Sequence, residues 1–440
     1  MSEPQEEIRV GVFVCACGIN IAGVVNTKKM VEYAKRLPGV VVADDYLSLC
    51  TTAGADFIKK FVVDNKINRI VIAAWTPKTH EPVFQAVLKD CGLDPSYLEF
   101  VNIREHVSFV HQTDKDRADE VAAEMIRMGV ARALQLESVP ERIVPITESV
   151  LVIGGGVGGL QAALDLANQG IVVHLVEDKP TIGGKMAMLD RTFPTDDCSI
   201  WILGPVMLEV NRNPNIKLYT LAEIASIKGF VGNFEVEILQ KARYTKKDCN
   251  GCGACVPVCP AIAPSEFDQG LGPRRAIYIA FSQAVPMKAQ IDMNACIKCG
   301  NCAKVCELTA VDFEQQDSIV SVKVGGIIVA TGWDEYEPEL GYLGYGKYEN
   351  VITQLTFERM LAPNGPVIGH IVRPSDGKHP ESILFVNCVG SRDIKRNIYC
   401  SSGVCCMVSI KNAKLVKSHD PTVDTVVAYI DIRAAGKGYE

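Results

Sequence analysis

Long apolar runs are missing from this 440-residue chain, and none approaches the roughly 18–20 residues that span a bilayer. An excess of basic residues is missing too. The formal net charge is -7, and binding a phosphate backbone needs a positive face, so nucleic acid is excluded as a partner. The opening stretch "MSEPQEEIRV" is acidic and polar rather than basic and apolar, which excludes a secretory signal and makes the cytoplasm the expected compartment. There is no His-x-x-x-His spacing, no phosphate-binding P-loop and no Ser-His-Asp constellation. Of the seven histidines, His80, His106 and His111 read as structural. What is abundant is cysteine. Seventeen residues, odd in number and mostly in short-spaced clusters, point in a chain without an export signal to metal ligands or redox groups rather than disulfides.

The pattern along the chain predicts an α/β protein. Apolar, β-branched runs such as "IRVGVFVCACG", "VVVADDYLSLC", "RIVIAAWTP" and "LEFVNIREHV" alternate with amphipathic stretches such as "GADFIKKFVVDNK" over residues 1–140, predicting a parallel sheet covered by helices. Residues 141–149 read as a linker. A second α/β unit starts at Val150 and runs to 244, a cysteine-rich insert occupies 245–313, and the α/β unit resumes over 314–380. A third unit starts at "SILFVNCVGSRD" and covers 381–440. With little more than one βαβ unit it cannot bury both faces of its sheet, so it is expected to be incomplete.

Within the insert, Cys249, Cys252, Cys255 and Cys259 precede Pro260 with the spacing C-x2-C-x2-C-x3-C-P, and Cys296, Cys299, Cys302 and Cys306 repeat it with Glu307 in place of the proline. This is the two-cluster ferredoxin run. Three thiolates on one loop take three corners of a cubane and the fourth ligand comes from the other run. The expected sets are therefore Cys249, Cys252, Cys255 and Cys306 for one [4Fe-4S] cluster, and Cys296, Cys299, Cys302 and Cys259 for the other. Zinc ribbons would need two separated cysteine pairs instead. Gly251, Gly253 and Gly300 relieve crowding where the backbone turns around a cluster.

"VIGGGVGGL" follows a strand-like "SVLVI" and opens a helix. Gly154, Gly156 and Gly159 take the G-x-G-x-x-G positions, with Gly158 in the same turn, and Glu177 ends the next strand where a carboxylate can accept from a ribose hydroxyl. A glycine turn with no ligand is the alternative. "PTIGGKM", carrying Gly183, Gly184 and Lys185, and "GGIIVATG", carrying Ala330, Thr331 and Gly332, favour FAD over NAD. Electron chemistry agrees, since a nicotinamide delivers two electrons together, a cluster accepts one, and a flavin exchanges both ways. Asp197 and Cys198 in "FPTDDCSIWILGP" read either as flavin contacts or as a packed loop. Lys185 reads either as a charge near the flavin or as a solvated surface group. Where a second nucleotide turn would stand, Cys388 and Gly390 replace the glycine pattern. Cys388, Cys400, Cys405 and Cys406 fit a further cluster, with inert buried thiols or a vicinal Cys405–Cys406 disulfide as alternatives.

Together "CACGIN", "FPTDDCSIWILGP", "RYTKKDCNGCGACVPVCP", "RRAIYIAFSQAVP", "IDMNACIKCGNCAKVC", "IIVATGWDEYEP" and "FVNCVGSRD…YCSSGVCCMVSIKNA" resemble the A subunits of heterodisulfide reductases, over nearly the whole chain. The resemblance implies a thioredoxin-reductase-like FAD domain of Rossmann type, an inserted two-cluster ferredoxin domain, an N-terminal α/β domain and an incomplete second Rossmann-like unit. It also implies a multisubunit oxidoreductase that splits electron pairs from a hydrogenase or formate dehydrogenase between ferredoxin and the CoM-S-S-CoB heterodisulfide. Its partners are the B and C subunits of heterodisulfide reductase, in a homo-oligomer of the complex, and a polypeptide that completes the flavin domain. Asp197 and Cys198 would lie near the isoalloxazine. Cys15, Cys17 and Cys50 match an N-terminal cysteine set whose usual further member is Val107 here, so a cluster there needs Cys91 or a partner for its fourth corner. The rivals are a non-bifurcating relay in a quinone-interacting or sulfur-metabolising complex, a self-contained NAD(P)H-dependent flavin reductase, and a scaffold with vestigial cofactors.

Overall fold

The computed structural model describes residues 7–139, 143–396, 398–400 and 403–439, so 140–142, at the start of the expected linker, lie outside the described residues. The chain divides into two units, Met1–Ile143 and Val144–Glu440.

In the first unit, β1 (Val10–Cys15), β2 (Val40–Tyr46), β3 (Arg69–Ala74) and β4 (Leu98–Asn102) alternate with α1 (Thr27–Ala34), α2 (Thr52–Asn65), α3 (Pro77–Asp90) and α4 (Lys115–Ala133). The sheet is parallel in the order β2-β1-β3-β4. Its two central strands are buried at every position, as β-branched runs covered on both faces must be. Val12, Phe13, Ile70 and Ile72 are fully buried, and each such side chain contributes about 1.5–3 kcal/mol. Side chains cap three of the helices: Asn26 accepts from the Lys29 N–H, Thr51 from Gly54 and Asp114 from Arg117, satisfying amides that have no intrahelical partner. The expected strand through "LEFVNIREHV" stops at Asn102. Its second half is a helical turn, Arg104–Ser108, because the Asn102 side chain accepts from the Glu105 N–H and the Ser108 hydroxyl turns back to the Arg104 carbonyl.

The second unit has a parallel sheet, β15-β5-β6-β7, whose first strands are β5 (Ser149–Ile153), β6 (Val172–Glu177) and β7 (Ile216–Thr220). Helices α5 (Val157–Asn168) and α6 (Ser199–Arg212) pack on one face through Leu160, Leu203 and Met207. An antiparallel sheet of β8 (Ala222–Phe230), β9 (Asn233–Gln240) and β14 (Ser318–Val324) covers the other face through Val236, Ile238 and Val324. The parallel sheet is completed by β15 (Gly326–Val329) pairing with β5. Between β9 and β14 lies the cysteine-rich segment, with two small ladders, β10 (Ile262–Pro264) with β11 (Pro273–Arg275) and β12 (Ile277–Tyr278) with β13 (Gln290–Ile291), and the short helix α7 (Asn301–Lys304). Gln240 and Ser318 are direct partners across the β9–β14 ladder, so the segment leaves and re-enters the sheet at one point.

The last part contains α8 (Gln354–Leu361), β16 (Ser382–Val386), α9 (Val404–His419) and β17 (Asp424–Ala428). Phe357, Leu361, Phe385, Leu415 and Val416 form its core. β16 and β17 are a two-stranded parallel sheet with Leu384 60% and Val426 56% exposed, so one of its faces is uncovered among the described residues.

Candidate functional site

The C-terminal edge of the second unit's parallel sheet carries the glycine turn. Gly154 has φ +109°, and a Cβ there would stand 2.3 Å from the Ala330 carbonyl oxygen. A Cβ at Gly159 would stand 1.9 Å from the Gly154 carbonyl oxygen, so both positions require glycine for close strand–helix approach. Gly156 and Gly158 are different: a Cβ at either would meet nothing within 4 Å. Gly156 caps α5 with no side-chain hydrogen bond, leaving the first-turn N–H groups facing open space, as a pyrophosphate requires.

Other sequence-predicted residues gather at the same edge. The Gly183 N–H donates to the Gly155 carbonyl at 2.8 Å, and a Cβ at Gly184 would stand 2.9 Å from the Gly156 Cα. Ala330, Thr331 and Gly332 follow β15, with the Ala330 N–H bonded to Ile153 at 2.8 Å. Glu177, at the end of β6, is buried; its Oε2 accepts from the Gly155 N–H at 2.7 Å and its Oε1 from the Lys179 N–H at 2.9 Å. Burial first, then a hydrogen bond with Asp178, raises its pKa to about 7. The carboxylate keeps lone pairs free for sugar hydroxyls. The four pieces fit a dinucleotide. Lys185 is partly exposed but not free: its ammonium donates to the Trp333 carbonyl, pairs with Asp334 at 2.8 Å and lies 5.0 Å from the Trp333 ring centroid. Its charge is spent tying the 184–188 turn to the segment after β15.

Asp197 and Cys198 end the loop before α6. That loop is held by α9: the Lys411 ammonium donates to the Arg191 carbonyl at 2.9 Å, and Lys414 pairs with Asp196. Lys411 also forms an ion pair with Glu358, the two side chains being 2% and 1% exposed, and Glu358 accepts from the Asp190 N–H at 3.2 Å. Beside it the fully buried Arg359 donates to Asp268 at 3.0 Å and to the Met188 carbonyl at 3.0 Å. Sequence reasoning misses this network. The one signal for it is Lys411, the lysine inside the apolar run "CCMVSIKNA", which cannot be buried without a partner.

In the insert, Cys259, Cys296, Cys299 and Cys302 line one small pocket with Ile277, Ile291 and Phe313. Burial raises the Cys302 thiol, and the neighbouring Cys296 and Cys259 add to the rise. Cys255 is pushed up to about 11, first by burial and then by Cys249, Cys252 and Cys302, so the first triple also converges. The Lys298 N–H donates to the Cys296 Sγ at 3.4 Å and the Ala310 N–H to the Cys306 Sγ at 3.3 Å. Gly251, Gly253, Lys298 and Gly300 all have positive φ, and the Lys298 amide is turned toward sulfur as the surroundings of a cluster require. Among the described residues no three His, Cys, Asp or Glu side chains stand close enough to hold a single ion; a cubane is larger and spreads its thiolates around a cage.

Cys388 follows β16 with φ +62°, and Cys405 and Cys406 open α9. Burial raises Cys405, with the Cys406 and Cys388 thiols adding to it and a Cys388 backbone hydrogen bond opposing. Arg433 hydrogen-bonds Cys400, and Arg392 lies near Cys388 and Cys400. Cys405 and Cys406 are both free thiols.

In the first unit Cys15 ends β1, Cys17 lies just beyond it and Cys50 follows β2, all at the C-terminal edge of that sheet. Cys17 is lowered to about 7, chiefly by a hydrogen bond from Cys15 and then by the Arg104 charge. Val107 is fully buried in the apolar core. Cys91 cannot supply a fourth ligand. It caps the C-terminus of α3, which runs back from β3, so it stands at the opposite edge of the sheet from Cys15.

Among the described residues no helix is long and apolar enough to cross a membrane. Residues 149–316 match the family described as FAD dependent oxidoreductase. The chain is 52% identical, over 98% of its length and 66% of the relative's, to the iron-sulfur A subunit of the CoB–CoM heterodisulfide reductase of Methanocaldococcus jannaschii. It is 51% identical, over 100% of its length and 67% of the relative's, to the A subunit of the H2/formate:CoB-CoM heterodisulfide,ferredoxin reductase of Methanococcus maripaludis. The chain thus spans about two thirds of the length of these curated relatives. Among solved structures, Lactococcus lactis thioredoxin reductase is similar at 9% identity and a TM-score of 0.31, covering 67% of this chain and 69% of that one.

Proposed function

Because the chain belongs to the A-subunit family of heterodisulfide reductases, which are oxidoreductases, we propose that it is the FAD- and iron–sulfur-bearing electron-transfer component of such a complex. Bound FAD takes electrons in pairs and releases them singly, the form that clusters carry. The chain's own residues supply the rest. First-turn amides of α5 hold the pyrophosphate, Glu177 accepts from the ribose, and the Lys185–Asp334 pair closes the turn beside the ring system. Cys249, Cys252, Cys255 and Cys306 hold one [4Fe-4S] cluster, and Cys296, Cys299, Cys302 and Cys259 hold the other. Cys388, Cys400, Cys405 and Cys406 would hold a further cluster, with the Arg392 and Arg433 guanidinium groups beside it. Cys15, Cys17 and Cys50 supply three corners of another and leave the fourth open.

The observation that carries this reading is the insertion of two thiol runs between adjacent strands of a dinucleotide-binding domain. It puts single-electron carriers and a paired-electron cofactor in one polypeptide. We assign the donor to a hydrogenase or formate dehydrogenase, and the acceptors to ferredoxin and, through the B and C subunits, to the heterodisulfide. The test is anaerobic purification of the native assembly, with its subunits identified and its flavin and iron counted. Ferredoxin reduction driven by hydrogen or formate is then measured with and without heterodisulfide. Strict dependence on heterodisulfide is expected; independence rejects electron splitting.

A further inference from the structure

The inserted segment contains a cavity of about 780 Å³, within the size range of small-molecule sites. It shares no residue with the glycine turn, Glu177, Gly183–Lys185 or Ala330–Gly332. Cys252 of the first thiol run lines it, together with Arg274, Arg275, Tyr278, Phe281 and Ser282. No carboxylate lines it, while two guanidinium groups do.

The arginines differ. Arg274 is pinned: it donates to Asp292 at 2.9 Å, lies 3.3 Å from Glu266 and sits 4.1 Å over the Tyr278 ring. Its side chain is only 10% exposed, and its Nε is buried without a hydrogen-bond partner. Arg275 is half-buried and has no ion pair among the described residues, so its charge is not offset. The walls are flat and fixed, since Phe281 stacks on Phe267 at 4.7 Å.

We propose that this cavity binds a flat organic anion, an aromatic body bearing one carboxylate or sulfonate. Arg275 takes the acidic oxygens, and Phe281 and Tyr278 take the ring. The occupant lies against Cys252, so its charge is felt at the first thiol run. Binding itself does not depend on the cluster reading.

The probe is naphthalene-2-sulfonate, with neutral naphthalene-2-sulfonamide as comparator, titrated calorimetrically and anaerobically into the native, iron-loaded protein at low salt. The sulfonate is expected to bind at least about tenfold tighter, the worth of one charge-assisted contact. Arg275→Gln should erase that advantage and leave the sulfonamide unchanged. Ser282→Trp, at an exposed wall position, should crowd the space beside Phe281 and weaken both. Equal affinity of the two probes, indifference to Arg275→Gln, or no binding by the native protein overturns the proposal. Iron and circular dichroism are measured on the same samples. Low iron with the expected binding pattern sinks the cluster reading alone, whereas full iron without the pattern sinks this proposal alone.

Discussion

The two parallel four-stranded sheets solve one geometric problem with different residues. Each directs its strands toward an edge where loops emerge, the place where open α/β sheets hold ligands. At the edge of the first sheet stand thiols, Cys15, Cys17 and Cys50; at the edge of the second stand glycines, Gly154 to Gly159, and the buried Glu177. The scaffold supplies the edge, and the residue type decides its chemistry. Glycine makes room and leaves amides bare, whereas cysteine brings its own ligand atom.

The difference can be broken most severely at Gly159. Gly159→Val drives a side chain into the Gly154 carbonyl, 1.9 Å from where its Cβ would stand. The expected result is complete loss of bound flavin, read from visible absorbance, at a cost of about 3 kcal/mol. The thiols of the first unit should titrate as before. At the other edge, Val107→Cys restores a fourth thiol next to Arg104. If only the open corner weakens that set, the variant should keep its iron against a chelator longer than the native protein, with an altered reduced-state paramagnetic signal.

Smaller effects sharpen the contrast. Glu177→Gln should weaken flavin binding about tenfold, the worth of one buried hydrogen bond to charge. Because the Glu177 carboxyl is raised to about 7, it gains a proton and loses acceptor capacity as pH falls through that value. Flavin affinity should therefore fall below about pH 7 in the native protein and stay flat in Glu177→Gln, as followed by flavin release. Cys17 has the opposite sign: its thiol is lowered to about 7, so in metal-free protein its alkylation rate should rise through that pH. Cys15→Ala removes the main cause and should move the midpoint toward the ordinary thiol value near 8.5.

Repeating local patterns made much of this legible in sequence. The α/β alternation, the glycine turn with Glu177, and both cysteine runs are written in short spacings. What stayed hidden depends on residues far apart in the chain. The Lys411–Glu358 pair, the Lys185–Asp334 tie and the Arg274–Tyr278 stack join separate segments and leave no spacing to read. Local competition also misled: the Asn102 and Ser108 side chains ended β4 early, where the β-branched content of "LEFVNIREHV" suggested more strand. Cys91 looked available until the return of α3 carried it to the far edge.

The β9–β14 pairing at Gln240 and Ser318 lets the cysteine segment leave and re-enter the sheet at one point, while Phe281, Ala284 and Val285 anchor it in the core of the host. An excursion whose ends already meet adds only about 0.6 kcal/mol for each doubling of its length, so the strand order tolerates the excursion and the apolar anchor fixes its position. A nucleotide domain can thereby carry a whole cysteine-rich module without redrawing a single strand.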